Sequence, residues 1–457
     1  MEKQIQELTL KLKALETKEA ADSAAAAAAT AKSSSAKKPV NPGFLNLDGI
    51  SLYGTIDAGI AYIDHGAPLS AYHPNGLPYV VQKYSNRSIT SVAQNGLGQS
   101  KFGMNGLKPV TDDLAVVFKL ETAFSPTSGN LPDGPRSLVN NNGLALNKQA
   151  TSGDSSRAGQ LFQGAAYLGV TSKTFGALTF GRQNSMLVDN MTSYDPQAMA
   201  NAFSLLGASA FSSGAGISES AKFDNALKYA YNYGFARFAV MHQFGSAGTI
   251  PGGADQANVG VDYAGFSADA TYTHLRDAVT ESSLTAAQAT AAPGTLAATI
   301  SNNTSLAIEA RYQWKKLRVS GGYETITFAN PSDPLAVGVS GLGGYKLSVV
   351  NNTAYTIHRT QKVSWVGARY SLTKAATLAA AYYRYDQNSY KGNGCSNASF
   401  SSCSGTQQVY SASVDYRLTK NFDVYTGLTA SSVANGLASG YLRTAAVSSM
   451  TGVRFSF

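Results

Sequence analysis

Side chains able to do covalent chemistry are few in this chain of 457 residues, and they stand in no catalytic pattern. The five histidines, His65, His73, His242, His274 and His358, are scattered without metal-ligand spacing, and neither a G-x-S-x-G elbow nor an H-E-x-x-H helix occurs. No enzyme, no metal site and no cofactor is therefore expected. The charged residues can instead sort other charges. Along 114–124, Leu114, Val116, Phe118 and Leu120 share one parity, while Ala115, Val117, Lys119, Glu121 and Ala123 share the other. An extended chain of that kind has an apolar face and a face carrying a cation and a carboxylate. Lys101 alternates in the same way with Phe102 and Met104, and Lys228 with Leu227, Tyr229 and Tyr231. Charges on one face of several strands suit a water-filled passage, where they favour or disfavour ions.

The elements that would hold these groups are strands. From Ile50 onward, stretches of about ten alternating residues are joined in turn by very short turns and by long polar connections, the asymmetry of an outer-membrane barrel. About sixteen such strands can be drawn, from 50–62 to 446–457, with turns such as 109–113, 172–175 and 419–421 and long connections at 63–98, 125–160, 184–223, 276–302, 329–360 and 387–406. The last strand places Val447, Ser449, Thr451, Val453, Phe455 and Phe457 outward. Val453, Phe455 and Phe457 read as a C-terminal insertion signal, and Phe457 is expected to lie beside residues 39–49 at the rim where the barrel closes. The segment 367–374 is echoed by 413–420, which sets Tyr370 and Tyr416 before a tight turn, at the height of an aromatic girdle.

Composition agrees. Charged residues are only 14 %, against 44 Gly and 25 Tyr, and no linker divides the chain beyond residue 45. No window has the ~18 consecutive apolar residues of a spanning helix, so a membrane role requires a closed barrel, which pairs every backbone polar group between strands. The net charge of +8 comes without the dense basic clusters and interleaved aromatics of a nucleic-acid binder, and no nucleic acid is expected as partner. It could favour anions in a pore or lipopolysaccharide phosphates at the rim. A soluble propeller or solenoid is the alternative, but no repeat of constant period runs through the chain.

Residues 1–38 are of another kind. Met1, Ile5, Leu8, Leu12 and Leu15 follow the 4-3-4-3 spacing of a coiled-coil seam, with Lys11 and Glu16 at flanking positions. Ala24 to Ala29 extend the helix by propensity, and Pro39 and Pro42 end it. The expected organisation is a coiled-coil helix over 1–38, a linker over 39–49 and a barrel over 50–457; a single solvated helix or a flexible tail is the alternative for the first part. Cys395 and Cys403, eight residues apart among Gly, Ser and Asn, most simply close a local disulfide in an oxidising compartment. No apolar signal-peptide core follows Met1, so the chain reads as a mature form with Met1 compatible with an addition.

Read in order, the hairpins resemble the general porins of proteobacterial outer membranes, in particular the type common in Burkholderia-like bacteria. The resemblance rests on Leu52-Tyr53-Gly54 with Asp57-Ala58-Gly59, Lys101-Phe102-Gly103 with Gly106, Phe118 to Glu121, Ala166-Tyr167-Leu168-Gly169, Phe175-Gly176 with Phe180-Gly181-Arg182-Gln183, Asn225 to Tyr229, and Gly452-Val453-Arg454 to Phe457. It does not cover residues 1–44. It implies an all-β transmembrane β-barrel of sixteen antiparallel strands, assembled as a homotrimer in the outer membrane of a Gram-negative bacterium. The function implied is passive diffusion of small hydrophilic solutes, with the long segment 184–223 folded inward to narrow the lumen.

The resemblance also puts Arg182 in a basic cluster at the constriction, although alternation gives it the outward parity of Phe180. Lys101, Lys119, Arg182 and Lys228 would then face the acids of the inward segment, Asp189, Asp195 and Glu219, with Glu121 among the bases. Opposed charges across a narrow gap orient dipolar solutes. The small number of acids implies a weak anion preference. The segment lacks the family's Pro-Glu-Phe-Gly motif, which leaves its path open. The helix would lie in the periplasm, bundled in the trimer. Alternative roles are a barrel anchor reaching peptidoglycan or another envelope partner through that helix, and a substrate-specific channel.

Overall fold

The computed structural model describes residues 45–47, 49–72, 83, 86–151, 156–208, 221–245, 250–391 and 400–457. Its strands are β1 (Leu45–Leu47), β2 (Ile50–Gly66), β3 (Arg87–Gln94), β4 (Lys101–Pro109), β5 (Leu114–Ala123), β6 (Ala165–Ser172), β7 (Gly176–Asn184), β8 (Lys222–Tyr233), β9 (Ala236–Gln243) and β10 (Ala254–Tyr263). Then come β11 (Phe266–Ser282), β12 (Leu296–Trp314), β13 (Leu317–Ala329), β14 (Leu347–Asn351), β15 (Arg359–Ser371), β16 (Ala376–Gln387), β17 (Gly405–Thr419), β18 (Phe422–Asn435) and β19 (Ala445–Ser456). Sixteen of them, all but the short β1, β3 and β14, pair antiparallel with their neighbours in one continuous ring. The ring closes where β19 pairs with β2, from Ser448 opposite Ile63 to Ser456 opposite Thr55. Two further backbone bonds complete this seam: Phe457 N–H donates to the Gly54 carbonyl at 3.0 Å, and Gly54 N–H to that of Phe457 at 2.9 Å.

Alternation sets which face meets lipid. In β19, Val447, Thr451, Val453 and Phe455 are exposed on the outside, while Ser448, Met450 and Gly452 are covered within. Outward aliphatics continue around the barrel at Ile60, Leu168, Ile308, Val366 and Leu428. Near the short turns stand exposed aromatics, including Phe175, Tyr233, Tyr263, Phe266, Tyr312, Trp314, Tyr370 and Tyr416, a girdle suited to the headgroup region. The two-residue turn Ala264–Gly265 has positive φ at both positions, 49° and 84°, the primed-turn geometry that matches strand twist.

The β1 strand lies antiparallel against Ile50–Leu52, which puts the chain's entry into the barrel beside Phe457, as the sequence implied. Several strands run further than alternation suggested. The stretch 276–302, read as a loop, largely continues β11 and β12 as a hairpin past a bulge between Leu275 and Ala278, and β14 adds parallel to the start of β12. Those extensions mix Ala, Thr, Ser and Asn with charged Arg276, Asp277 and Glu281, and their larger apolar residues, Val279, Leu296 and Ile300, are buried in a cluster with Leu138, Leu342 and Leu347. The sequence also began its fourth strand at 161, whereas the fourth barrel strand, β6, begins at Ala165. The expected coiled-coil seam, Ile5, Leu8, Leu12 and Leu15, lies outside the described residues, as does Cys395; Cys403 is buried.

The Phe457 ring lies where a side chain on Gly54 would project. Replacing Gly54 by Val should overpack the seam at a cost of about 1–3 kcal/mol. The outcome expected is a loss of the heat-resistant, fast-migrating barrel band on unheated gels, which Gly54→Ala should show more mildly.

Candidate functional site

Behind Asn184 the chain turns into the lumen. Ser185 caps a helix, Met186–Tyr194, by accepting from the Val188 N–H at 3.3 Å. The segment 185–208 is then stitched to successive inner walls. Met186 N–H donates to Gln256 on β10 at 2.8 Å, Asn190 Nδ2 to Thr271 on β11 at 2.9 Å, and Trp365 Nε1 on β15 to the Tyr194 carbonyl at 3.3 Å. Further on, Tyr383 on β16 donates to Asp195 at 2.5 Å, Gln197 exchanges bonds with Ser411 and Ser413 on β17, and Thr429 on β18 donates to the Ala202 carbonyl at 2.8 Å. The Ala202 N–H ends the path by donating to the Gly96 carbonyl at 2.9 Å.

Apolar burial accompanies these bonds. Leu187, Met191, Leu205 and Leu206 pack on Ile326, Phe328, Val363, Trp365, Tyr383 and Val409, all inward from the wall. Phe203 meets Tyr425 edge to face, with ring centroids 6.2 Å apart. Inward glycines make the close approach possible: a side chain at Gly427 would meet the Phe203 ring, and one at Gly367 would meet Pro196. The segment therefore packs from Phe223 and Ala226 of β8, along β10 to β18, to Ala61 and Ile63 of β2, and faces the inner side of β4 to β7 across the lumen.

That side carries a cluster of lysines. Lys101 and Lys119 each place Nζ 3.1 Å from Glu121 Oε2, and the Tyr53 hydroxyl donates to the same oxygen at 2.8 Å. Glu121 is nearly covered, whereas the two lysines are about one-third exposed, at 36 % and 29 %. Lys228 reaches Asp189 on the helix at 2.8 Å, and Asn184 donates to the other oxygen of that carboxylate at 2.7 Å. Burial works against the charge of Asp189, but Lys228 and Asn184 outweigh it and hold the carboxyl below the usual range. Lys222, which the sequence left in the loop, donates to Asn184 at 2.6 Å and lies within electrostatic reach of Glu121, Arg182, Lys101 and Lys119.

Two sequence-selected residues sit otherwise than implied. Arg182 is 9 % exposed and spent on Asp224 Oδ1 at 2.6 Å and the Gln163 carbonyl at 2.8 Å. A register shift between Gly181 and Gln183 breaks the alternation there, and Arg182 enters the site as half of a neutral pair. Asp195 faces the wall and not the passage. It accepts from Tyr383 and from the N–H groups of Met199 and Gln197, so it anchors the segment, with burial pushing its carboxyl above the usual range. Glu219 lies outside the described residues. Apolar residues at inner parity, such as Val363 and Trp365 in β15, are the signal by which the sequence could have marked the covered wall.

A closed antiparallel barrel, apolar outside and narrowed by an inward segment facing a lysine-rich wall, defines a membrane channel of the porin type. The comparisons agree: the Gram-negative porin family matches residues 23–435, and the chain belongs to that family. An outer membrane porin protein of Bordetella pertussis is 26 % identical over 196 residues, which make up 43 % of this chain and 42 % of that relative. Among solved structures, an anion-selective porin from Comamonas acidovorans matches 89 % of this chain and 99 % of its own, with a TM-score of 0.59 at 15 % identity. The outer membrane protein OmpT of Vibrio cholerae matches 91 % of this chain and all of its own, with a TM-score of 0.57 at 13 % identity, and has also been solved in a trimer form. The family and the barrel together place the chain in the outer membrane.

Removing the Asp195 carboxylate should free the middle of the inward segment. Asp195→Ala is expected to give larger and noisier single-channel steps while the barrel band survives on gels; unchanged steps would show that the apolar contacts alone hold the segment. The depressed carboxyl of Asp189 gives a second expectation with a definite sign. The Lys228 ion pair is fully present above the ordinary carboxylate pKa of about 3.9 and is lost as pH falls through the lowered folded value. Anion preference should therefore rise only at pH below about 3.9, and Asp189→Asn should remove that part of the pH dependence in reversal-potential measurements.

Proposed function

We propose that this chain is a passive channel for small hydrophilic solutes and ions, working as a homotrimer with a weak preference for anions and doing no catalysis. The observation that carries the reading is the charge balance at the narrow part of the lumen. Four lysines, Lys101, Lys119, Lys222 and Lys228, share two carboxylates, Glu121 and Asp189, while Arg182 is neutralised by Asp224. A surplus of fixed positive charge beside water raises the local concentration of anions. The likeness in fold to a porin named as anion-selective is in keeping with this.

Trimer formation finds support on the outer face of β18 and β19. The Thr426 and Thr451 hydroxyls are bonded there at 2.8 Å, outward and exposed, with Ser449 alongside. Lipid rewards no hydroxyl pair, whereas contacts between membrane proteins are enriched in small and polar side chains. The N-terminal helix of residues 1–38 would then bundle in the periplasm, and a Cys395–Cys403 bridge would close the loop after β16.

Planar-bilayer recording tests the reading. Conductance steps in groups of three and a reversal potential shifted toward chloride in a KCl gradient are expected; clear cation preference would overturn the charge argument, and absence of conductance would favour an anchoring role. Glu121→Gln, which releases Lys101 and Lys119 from their shared partner, should raise the chloride-to-potassium permeability ratio about twofold.

A further inference from the structure

We infer that Arg311, Arg318 and Arg369 form an oxyanion-binding site inside the barrel, near the short-turn rim, for phosphate or small polycarboxylate ions; this deepens the channel reading above. The three residues share the inward parity of Glu309, Ser320 and Trp365 on β12, β13 and β15. Arg318 and Arg369 stand directly opposite each other in the ladder, with Gln313 opposite Arg318 on the other side. Like charges directly opposed across strands are destabilising, so the row has an unmet need for negative charge.

Nothing among the described residues meets that need. Among the described residues no carboxylate comes within 4.0 Å of any of the three. Arg311 lies over the Tyr194 ring, 5.5 Å from its centroid, and donates to the Ser193 carbonyl at 3.3 Å. Arg318 spends only Nε, on Gln313 at 3.0 Å. Neighbouring arginines of the same wall are treated differently: Arg237 pairs with Asp262 and Asp269, and Arg417 and Arg454 both pair with Asp423. Asp415 contributes charge near Arg369, but its ion pair, at 4.0 Å, is with Arg454.

The three guanidinium groups are only partly covered, and they run from the end of the lumen helix toward the turn at Lys315 and Lys316. Planar guanidinium forks match the paired oxygens of phosphate and carboxylate, and such bonds are roughly twice as strong as neutral ones. The row lies across the barrel from Lys101 and Lys119 on β4 and β5, so an anion leaving the lysine wall would meet a second, separate station.

Inorganic phosphate is the probe. It is titrated calorimetrically into the purified full-length protein in detergent and, separately, added to bilayers carrying KCl current. Binding and current block by phosphate are expected for the native chain. Both should weaken about tenfold in the double variant Arg318→Gln with Arg369→Gln and persist in Lys173→Gln, which removes an exposed cation from the short turn between β6 and β7. Retention of the heat-resistant band checks folding; should that double variant fail to fold, Arg318→Lys with Arg369→Lys, which keeps the charge but loses the forks, should still bind phosphate more weakly than the native chain. No phosphate binding by the native protein, or full binding by the folded arginine variants, overturns the site. Binding that is lost in the arginine variants of a chain that does not conduct would sustain the site and defeat the channel reading.

Discussion

Backbone hydrogen bonding within hydrocarbon is the constraint from which the rest follows, because a lipid-facing strand with an unpaired edge would leave several kcal/mol unmet at each exposed amide. A sheet meets it only by closing on itself. Here closure depends on β19 finding β2, nearly four hundred residues earlier in sequence, through a register that extends to the terminal Phe457 and Gly54. The seam is also tied from inside: Asp57 on β2 accepts from the Tyr425 hydroxyl on β18 at 2.5 Å and from the N–H groups of Gly96, Leu97 and Gly98. One buried carboxylate thus joins the barrel closure to the connection on which the inward segment ends, since Ala202 N–H donates to the Gly96 carbonyl and Asn201 to that of Asn95.

With closure fixed, the interior divides into two unlike halves. From β10 to β18 the inner wall is apolar or glycine-lined where the segment lies, and the segment is held by a polar contact to almost every strand it crosses. From β4 to β8 the inner wall carries lysines and a single shared carboxylate. The segment's Asp189 joins the halves at Lys228, so the charge pattern and the segment's position sustain each other.

The outer surface was the most legible part of the sequence, because lipid imposes period-two alternation over about ten residues; all sixteen barrel strands stood near their places. Lys101, Lys119, Glu121 and Lys228 followed from the same alternation. Three features did not. Arg182 sits at a register shift, where parity no longer reports the face. Asp195 has a role set by Tyr383, 188 residues away, which no local pattern reveals. The strand extensions beyond the lipid band bury Val279, Leu296 and Ile300 against Leu138, Leu342 and Leu347 from distant connections, a partner that no local alternation reveals, so they read as loop.

Residues of one charge can therefore serve opposite ends in the same wall. Lys101 and Lys119 converge on one oxygen of a nearly covered Glu121, which fixes their positions while leaving the pair with net positive charge toward the water. A shared carboxylate of this kind sets geometry at little loss of field, because one anion cannot cancel two cations. Arg417 and Arg454 share Asp423 by the same device at the short-turn rim, and Asp423 is likewise well covered. Arg311, Arg318 and Arg369 have no such acid among the described residues; Arg311 is held by an aromatic face and a carbonyl, and Arg318 by an amide. For Arg311 and Arg318, neutral partners position a guanidinium without spending its charge. The difference between the two arrangements is a difference in what is left for a passing ion: a steady background field where a carboxylate is shared, and open hydrogen-bond donors where none is.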